Sequence, residues 1–374
     1  MAGIYIHIPF CKQACHYCNF HFSTSLKHKA PLIDAIVREI ALSKSYLKNQ
    51  VVETVYFGGG TPSLLSAEEF NRLFDSLHKY HTISEDAEVT LEANPDDLTQ
   101  KYLEELRSTP VNRLSIGIQS FFEEDLHYMN RAHDAQQANQ CIEDAQANDF
   151  NNLSIDLIYG SPTTSHAHWK RNIEIALHYR IPHISCYALT VEPKTALDHF
   201  IRTRKTEAPD DDVASKQFHY LINTLTGNGY EHYEISNFAL PGHYSRHNTA
   251  YWQGTTYLGL GPSAHSFDAN SRRWNVANNA HYIKLIESGE IPCETEVLSA
   301  KDRYNEYIMT SLRTQWGIPE NRINDFGTTI ANHFRNAAAA KLKEGLIVVE
   351  NEHFKLSKKA KFLADGIISD LFFV

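Results

Sequence analysis

The chain has few of the residues that build disulfide scaffolds or membrane spans. Its 374 residues include only 6 cysteines and 3 methionines, and no apolar run approaches the roughly 18 residues that a membrane helix needs. The first residues lack the basic start and long apolar stretch of a signal peptide. We therefore expect a cytoplasmic chain that is not an integral membrane protein. In that compartment, clustered cysteines more often bind metal or carry out redox chemistry than form disulfides.

Positive charge is also scarce. Lys and Arg number 35 against 45 Asp and Glu, which gives a net charge of −10. General nucleic-acid binding favours a basic surface, so we expect no nucleic-acid partner. The composition is otherwise ordinary for a globular protein, and the length allows one large domain and a smaller one. The 21 histidines keep metal and heme binding open.

Short β-branched and aromatic segments alternate with segments whose apolar residues recur every three or four positions. This alternation predicts an α/β protein with parallel strands joined by crossover helices, and six such units indicate a full or partial (β/α) barrel. Ser66 and Glu69 form a capping-box pattern at the start of one helix. The predicted strands cover residues 4–8, 53–57, 88–93, 113–119, 152–160 and 183–189.

The pattern changes after residue 200. A charged connection and a helix lead to a strand-like segment at 230–239, and we expect a loop from there to residue 267. From about residue 300, a helix, the hairpin sequence GLIVVENEHFKLS and a further helix resemble a winged-helix module. We therefore divide the chain into a barrel (1–240), a connecting segment (241–299) and a smaller, mainly helical, winged-helix-like domain (300–374).

Half of the cysteines lie within eight residues, directly after the first predicted strand. In a parallel barrel, the loops that follow the strands form the active face. Cys11, Cys15 and Cys18 can hold three irons of a [4Fe–4S] cube, and the fourth iron is then a Lewis-acid site for a small chelating molecule. Two alternatives stay open at this point: a structural zinc completed by His16 or His21, and reactive thiols without a metal.

The sequence YIHIPFC, the C-x3-C-x2-C spacing and Tyr17 before Cys18 resemble the signature of radical S-adenosylmethionine (SAM) proteins. More narrowly, motifs from Ile4 to Phe267 resemble the branch that contains oxygen-independent coproporphyrinogen III oxidase and a related heme chaperone. The resemblance implies a partial (β/α) barrel of the radical SAM type that binds a [4Fe–4S] cluster and S-adenosylmethionine.

Further residues of the cofactor site follow from the same resemblance. The glycines of FGGGTPS let the backbone approach a ligand, and an Asp within an apolar strand is costly unless it is paired or functional. An ordinary glycine turn and a solvated strand-end glutamate are the alternatives. Nearly all the assigned residues follow predicted strand ends, which predicts one shared rim. The carboxylate of Glu92 can pair with the ammonium group of the cofactor, and the resemblance implies that Asp156 lies at the ribose. The resemblance assigns to S-adenosylmethionine Tyr5, Tyr17, Gly59, Gly60, Thr61, Glu92, Gln119, Arg131 and Asp156.

Two departures separate the chain from the oxidase. The oxidase has a further cysteine two positions after the third, where this chain has Phe20, and a longer segment ahead of its cluster, where this chain has ten residues. The stretch RHNTAYW also reproduces the H-N-x-x-Y-W pattern associated with the heme-chaperone branch. Because imidazole is a common axial ligand of heme iron, the heme candidates are His247, Tyr251 and Trp252, with His265 as a weaker one. A loop cap and packed aromatic rings are the alternative.

These features predict a heme chaperone that binds heme and transfers it to an acceptor protein, with oxygen-independent coproporphyrinogen III oxidase activity as the alternative. Whether the chain is an enzyme stays open. The sequence does not identify the acceptor, for which a membrane-bound respiratory enzyme is one candidate. A cluster-dependent homodimer stays open, with no residue that supports it. The remaining cysteines, Cys141, Cys186 and Cys293, are expected to be buried structural thiols.

Overall fold

The computed structural model describes all 374 residues, and its main body is an open sheet of twelve strands. Six of them are parallel, lie side by side in sequence order and are joined by crossover helices. These strands are β1 (Ala2–Ile8), β2 (Val52–Gly59), β3 (Ile83–Ala93), β4 (Arg113–Gln119), β5 (Leu153–Tyr159) and β6 (His183–Ala188). The helices between them are α1 (Lys29–Leu42), α2 (Ala67–Tyr80), α3 (Gln100–Leu106), α4 (Glu123–Met129), α5 (Ala135–Ala147) and α6 (His166–His178).

The two faces of these parallel strands have different chemistry. Side chains alternate along a strand, and on β1 Ile4, Ile6 and Ile8 are fully buried in the main apolar core with the helices. Tyr5 and His7 occupy the opposite face, which lines the barrel lumen. The same alternation on the other parallel strands leaves polar groups in the lumen, which explains how apolar strands accommodate embedded carboxylates.

The sheet continues on both sides of the parallel strands. Strand β8 pairs antiparallel with β6 on one side, and β9 pairs parallel with β1 on the other. The two outermost strands are not neighbours, so the barrel is partial. The elements that complete this body are α7 (Ala196–Arg202), α8 (Asp211–Gly227), β7 (Glu231–Glu234), β8 (Asn237–Ala239), α9 (Arg246–Trp252), β9 (Tyr257–Leu260), β10 (His265–Phe267), β11 (Ser271–Asn275), α10 (Asn279–Glu287) and β12 (Cys293–Val297).

The stretch after residue 240 is not the loop that its sequence suggests. It contains α9, β9 and β10, and the segment 241–299 contributes four strands to the main sheet. The single strand expected at 230–239 is the hairpin β7–β8. Local patterns miss β9 because it is only four residues long and has glycines at positions 259 and 261, which favour a turn. Its pairing partner is β1, the first strand of the chain.

A buried carboxylate anchors residues 241–299, which we name the sheet extension, to the barrel. Glu39 of α1 accepts hydrogen bonds from the backbone N–H of Gly261 at 2.7 Å, the Asn275 amide at 2.6 Å and the Tyr282 hydroxyl at 2.6 Å. Burial raises the pKa of Glu39, and these three donors oppose that shift. The carboxyl group therefore joins a barrel helix to β9, β11 and α10.

The C-terminal part has its own core of 17 buried residues. It combines helices with a small antiparallel sheet in the order β13, β15, β14, and the predicted hairpin is present between two helices. None of the helices in the molecule has the length and apolar character that crossing a membrane requires. Its elements are α11 (Ala300–Leu312), β13 (Ile318–Pro319), α12 (Thr328–Lys343), β14 (Ile347–Glu350), β15 (His353–Leu356) and α13 (Ala364–Ser369).

Candidate cofactor site and domain-junction cleft

The three clustered cysteines lie on the loop that follows β1, at the carboxyl-end rim of the barrel. Backbone hydrogen bonds close the base of this loop, from Cys11 to the Ser23 carbonyl at 3.1 Å and from Ser23 to the Pro9 carbonyl at 2.9 Å. A further bond joins Cys18 to the Cys15 carbonyl at 3.3 Å. All three thiols are half-buried, and burial raises the pKa of Cys11 to about 11.

The glycine-rich segment at the end of β2 lies against the start of the cysteine loop. The backbone N–H of Gly60 donates to the Ile8 carbonyl at 2.9 Å, and that of Thr61 to the Phe10 carbonyl at 2.6 Å. A Cβ atom on Gly60 would lie 2.6 Å from the Phe10 carbonyl oxygen, so only glycine fits. Gly59 has a φ of +108°, a backbone conformation that favours glycine. The close approach therefore explains the glycines independently of any ligand.

Arg131 joins the cysteine loop to the strand ends. Its Nη1 donates to the Cys15 sulfur at 3.2 Å, and its Nη2 donates to Asn94 Oδ1 at 2.7 Å and to the Gly117 carbonyl at 2.9 Å. Burial acts to lower the pKa of Arg131, but Tyr17 and Cys15 outweigh it and the net shift is upward. The guanidinium thus holds a fixed positive charge beside the thiols.

Two carboxyl groups interact inside the rim. The Tyr56 hydroxyl donates to Glu92 Oε1 at 2.8 Å, and the Gly59 N–H donates to Oε2 at 3.1 Å. Burial raises the pKa of Glu92 to about 7, with a further contribution from Asp156. Burial also raises the pKa of Asp156 to about 6, against an opposing hydrogen bond from Ser185. A cation entering this space would favour the charged form of both groups.

Two further predicted residues, Tyr5 and Gln119, lie on the lumen face and at the rim. The Tyr5 ring stacks on Tyr56 with centroids 6.1 Å apart. Gln119 ends β4 with a φ of +63°, the left-handed region that a non-glycine residue adopts at an energetic cost. Its amide lies beside Gly117, where an added Cβ would come within 2.9 Å of Nε2. The structure therefore places Gln119 at the rim and Tyr5 deeper in the lumen, whereas Tyr17 packs on the small apolar cluster that contains Met129.

Sequence reasoning missed two residues that hold this set in place. Asn94 accepts from Arg131 and donates to Thr61 Oγ1 at 3.1 Å, and Tyr56 donates to Glu92. Their positions along the strands are the signals that could have identified them. Asn94 directly follows β3, and Tyr56 is a large polar residue on the lumen face, in register with Tyr5.

Each candidate zinc-binding histidine has one ring nitrogen engaged by a partner other than the thiols. His16 Nδ1 lies 3.0 Å from the Tyr128 carbonyl oxygen, and His21 Nε2 lies 2.8 Å from Asn279 Oδ1. No group of three or more His, Cys, Asp or Glu side chains converges as ligands of a single metal ion. A cube takes each thiolate on a separate iron, so its ligands need not converge on one point. The geometry thus gives no support to the zinc alternative.

The predicted heme residues divide between two spaces. All lie on α9, but His247 points into the end of the lumen opposite the cysteines, with Nδ1 2.9 Å from Thr54 Oγ1 and its ring 5.0 Å from that of Tyr56. Burial lowers the pKa of His247 to about 4. Tyr251 and Trp252 instead line a cleft of about 540 Å³ between the sheet extension and the C-terminal part. We name this space the junction cleft.

The weaker heme candidate and the other cysteines lie elsewhere. His265 is exposed on β10, and its ring stacks against Trp274. Cys141 and Cys186 are buried, as expected for structural thiols. The expectation of burial is wrong for Cys293, which is half-buried because β12 is an edge strand of the sheet.

Comparison with known proteins identifies this architecture. Residues 5–176 match the Radical SAM superfamily, and residues 298–363 match the HemN C-terminal domain. The structure resembles that of a protein described as coproporphyrinogen III oxidase (HemN) from Escherichia coli, with a TM-score of 0.85 and 24% identity, over 99% of this chain and 90% of that chain. The likeness confirms the predicted fold, an α/β partial barrel of the radical SAM type with a smaller helical C-terminal part.

The fold and the cysteine motif therefore define a radical SAM protein. Among curated relatives, "Heme chaperone HemW" of Mycobacterium tuberculosis (strain H37Rv) is 33% identical, over 99% of this chain and 94% of the relative. The Escherichia coli protein of the same name is 36% identical, over 98% and 97%. "Radical S-adenosyl methionine domain-containing protein 1, mitochondrial" of Bos taurus is 29% identical, over 99% and 87%. The chain belongs to the HemW family of the Radical SAM superfamily.

Proposed function

We propose that the protein binds heme and transfers it to an acceptor protein, while carrying a [4Fe–4S] cluster and S-adenosylmethionine on its barrel rim. The observation that carries this proposal is the near full-length similarity to several proteins named heme chaperone HemW. Phe20, in place of the additional oxidase cysteine, and the RHNTAYW stretch support the same choice.

The cluster ligands in this proposal are Cys11, Cys15 and Cys18. Their thiols share one short, half-buried loop, and the Arg131 contact to Cys15 supplies positive charge where thiolates form. When bound, the cluster offers one iron without a protein ligand, to which a small chelating molecule can bind. The donor chemistry and the hydrogen-bonded loop therefore suit the cluster.

The rim residues have complementary tasks toward S-adenosylmethionine. Glu92 is oriented by Tyr56 and the Gly59 N–H, so its carboxylate can meet the ammonium group, and Asp156 can meet the ribose. The backbone of Gly59, Gly60 and Thr61 is proposed to contact the methionine end, because this segment ends β2 beside Glu92, to which the Gly59 N–H donates. Tyr5, Tyr17, Gln119 and Arg131 complete the proposed set.

The site of action we propose is the cytoplasm, and the acceptor to test first is a membrane-bound respiratory enzyme. A homodimer that depends on the cluster is a further hypothesis. Size-exclusion chromatography with and without the reconstituted cluster tests it directly, since a dimer that forms only with the cluster changes its elution volume.

The decisive experiment is a heme titration of anaerobically reconstituted full-length protein, followed by absorption in the 400 nm region. We expect saturable binding and subsequent transfer to an apo-acceptor. The absence of saturable binding would contradict the proposed function, whatever the state of the cluster.

Oxygen-independent coproporphyrinogen III oxidase activity is the second candidate, because the rim residues proposed for S-adenosylmethionine are all present. The test is anaerobic incubation of the reconstituted protein with coproporphyrinogen III, S-adenosylmethionine and a reductant. Decarboxylated porphyrinogen formed together with 5′-deoxyadenosine supports the oxidase. If heme binds and neither product forms, the chaperone function stands alone.

A further inference from the structure

The walls of the junction cleft are aromatic on both sides. The sheet extension contributes Tyr251, Trp252 and Tyr257, and the C-terminal part contributes Tyr307, Trp316 and Phe326. All six are half-buried, so they retain accessible surface instead of being consumed in a core. The volume of about 540 Å³ lies within the range of roughly 300–1,000 Å³ typical of small-molecule sites.

Arginines surround these rings. Arg272, Arg303 and Arg322 line the cleft together with Glu306 and Asp325. Arg272 pairs with Glu306 at 2.5 Å and Arg322 with Asp325 at 2.7 Å, whereas Arg303 is not in an ion pair. The cleft thus carries one net positive charge in a protein whose overall net charge is −10.

We propose that the junction cleft is the heme site, with the macrocycle between the aromatic walls and a propionate at Arg303. This inference rests on the proposed function and adds the location and the recognition chemistry. A flat apolar macrocycle gains dispersion and stacking energy from aromatic walls, and guanidinium groups form strong, directional hydrogen bonds with carboxylates. A ligand that is apolar on its faces and anionic at one edge matches both features.

The lining also indicates the iron ligand. Histidine, cysteine and methionine are absent from the cleft wall. Among the usual protein ligands of heme iron, the wall offers only the tyrosines Tyr251, Tyr257 and Tyr307. Tyrosine is a known axial ligand of heme iron. We assign this role to Tyr251, which would release its phenolic proton to solvent on binding ferric iron. His247 faces Thr54 in the lumen and not this cleft.

The position of the cleft also suits a protein that must release its ligand. One wall belongs to the body with the 57-residue core, and the other to the part with the separate 17-residue core. A small relative movement of the two parts can therefore open the cleft without exposing either core.

The test is hemin titration of the full-length reconstituted protein and two variants. Arg303→Glu and Trp252→Ala should each weaken hemin binding by about tenfold or more, since each removes one charge-assisted or stacking interaction. The matched control is Arg107→Glu, an exposed arginine beyond the end of α3 that pairs with Asp149, and it should bind as the wild type does. Cluster iron content and thermal unfolding check the integrity of each variant. Arg303→Gln and Trp252→Phe replace any that misfolds, and both should show smaller losses in the same direction.

Absorption spectra decide the ligand. Tyr251→Phe should change the spectrum of bound ferric heme, while His247→Ala should leave its Soret position at the wild-type value. If wild type fails to bind hemin, the proposed function itself is overturned. If wild type binds but the cleft variants bind equally well, or if only His247→Ala removes the heme spectrum, heme lies elsewhere and this inference alone is overturned.

Discussion

The barrel rim and the junction cleft are built in opposite ways. The rim consists of backbone groups and strand-end side chains that are already fixed by hydrogen bonds, such as those from Arg131 to Asn94 and from Tyr56 to Glu92. The cleft consists of half-buried rings and arginines on two parts with separate cores. A rim of this kind suits a cofactor that stays in one geometry, and a cleft between two parts suits a ligand that is loaded and released.

The two sites also differ in the charge that they offer to a ligand. Glu92 and Asp156 make the rim receptive to a cation, such as the ammonium and sulfonium groups of S-adenosylmethionine. The cleft has a net positive charge and is receptive to carboxylates. The predictions below test whether the two sites are as independent as their construction implies.

The largest expected effect is the loss of the cluster in Cys15→Ser. Removing one of three thiolates on the loop should reduce bound iron after anaerobic reconstitution by at least ~10-fold, since the cube needs all three protein ligands. Iron and sulfide analysis and the brown absorption provide the measurement. Cys293→Ser, a half-buried cysteine on an edge strand, is the matched control and should retain wild-type iron. Hemin binding by Cys15→Ser should change little, and a parallel loss of both ligands would show that the sites are coupled.

The attachment of the sheet extension, which forms one wall of the junction cleft, to the barrel should depend on Glu39. Glu39→Ala leaves the Gly261 N–H, the Asn275 amide and the Tyr282 hydroxyl without their buried acceptor, which should cost on the order of 3 kcal/mol of unfolding free energy. Chemical denaturation measures this cost. Glu287→Ala on the exposed face of α10 is the control and should fall within about 0.5 kcal/mol of wild type. An equally stable Glu39→Ala would mean that the extension does not need this anchor.

Glu92→Gln should separate binding from stability at the rim. Loss of the carboxylate should weaken S-adenosylmethionine binding about tenfold or more, because a charge-assisted hydrogen bond is removed. The exposed Glu124→Gln on α4 is the control and should keep wild-type affinity. Isothermal titration calorimetry under anaerobic conditions provides the measurement, and unchanged affinity would remove Glu92 from the proposed site.

Glu92→Gln should weaken S-adenosylmethionine binding but increase the free energy of unfolding of the ligand-free protein at high pH. The carboxyl group titrates near 4.5 when unfolded and near 7 when folded, so the folded protein holds the proton more tightly. The wild type therefore loses stability as pH rises from about 4.5 to about 7, because its buried carboxyl must then ionise. Without ligand, Glu92→Gln should be more stable than wild type by about 1–3 kcal/mol at pH 8 and nearly equal to it at pH 4. Chemical denaturation at pH 8 and pH 4 measures the difference in unfolding free energy between the two proteins. A difference that is the same at both pH values would contradict this account.

The smallest expected effect is the pH dependence of S-adenosylmethionine affinity. A cationic ligand needs the ionised Glu92, whose pKa is about 7 in the free protein, and Asp156 follows near 6. Affinity should therefore fall several-fold, up to about tenfold, between pH 8 and pH 6. The informative quantity is the difference in slope between wild type and Glu92→Gln, because it cancels the titration of the ligand itself. Equal slopes would show that Glu92 does not titrate on binding.

Several elements could be predicted because their signals are local. The predicted strand at 113–119 coincides with β4, and Ser66 and Glu69 form the predicted capping box on α2. The rim could be anticipated for the same reason, since the carboxyl ends of successive parallel strands lie on one side of a sheet. Strand β9 and α9 were missed because their pairing and packing partners are remote in sequence, and four to seven residues carry too little periodicity.

The H-N-x-x-Y-W motif shows the limit most clearly. His247, Tyr251 and Trp252 lie within six positions of one another, yet α9 directs the imidazole toward Thr54 in the lumen and the two larger aromatic rings toward the junction cleft. Proximity in sequence therefore predicts a shared helix but not a shared site.

The sequence by itself determined the barrel strands, the cysteine loop and the family, because each depends on short-range patterns or on residue identity. Only the tertiary structure decided that residues 241–299 extend the main sheet, that Glu39 anchors them, and that aromatic and arginine side chains from both parts meet in one cleft. These features depend on contacts between segments far apart in the chain, and such contacts are fixed by the packing of the whole molecule.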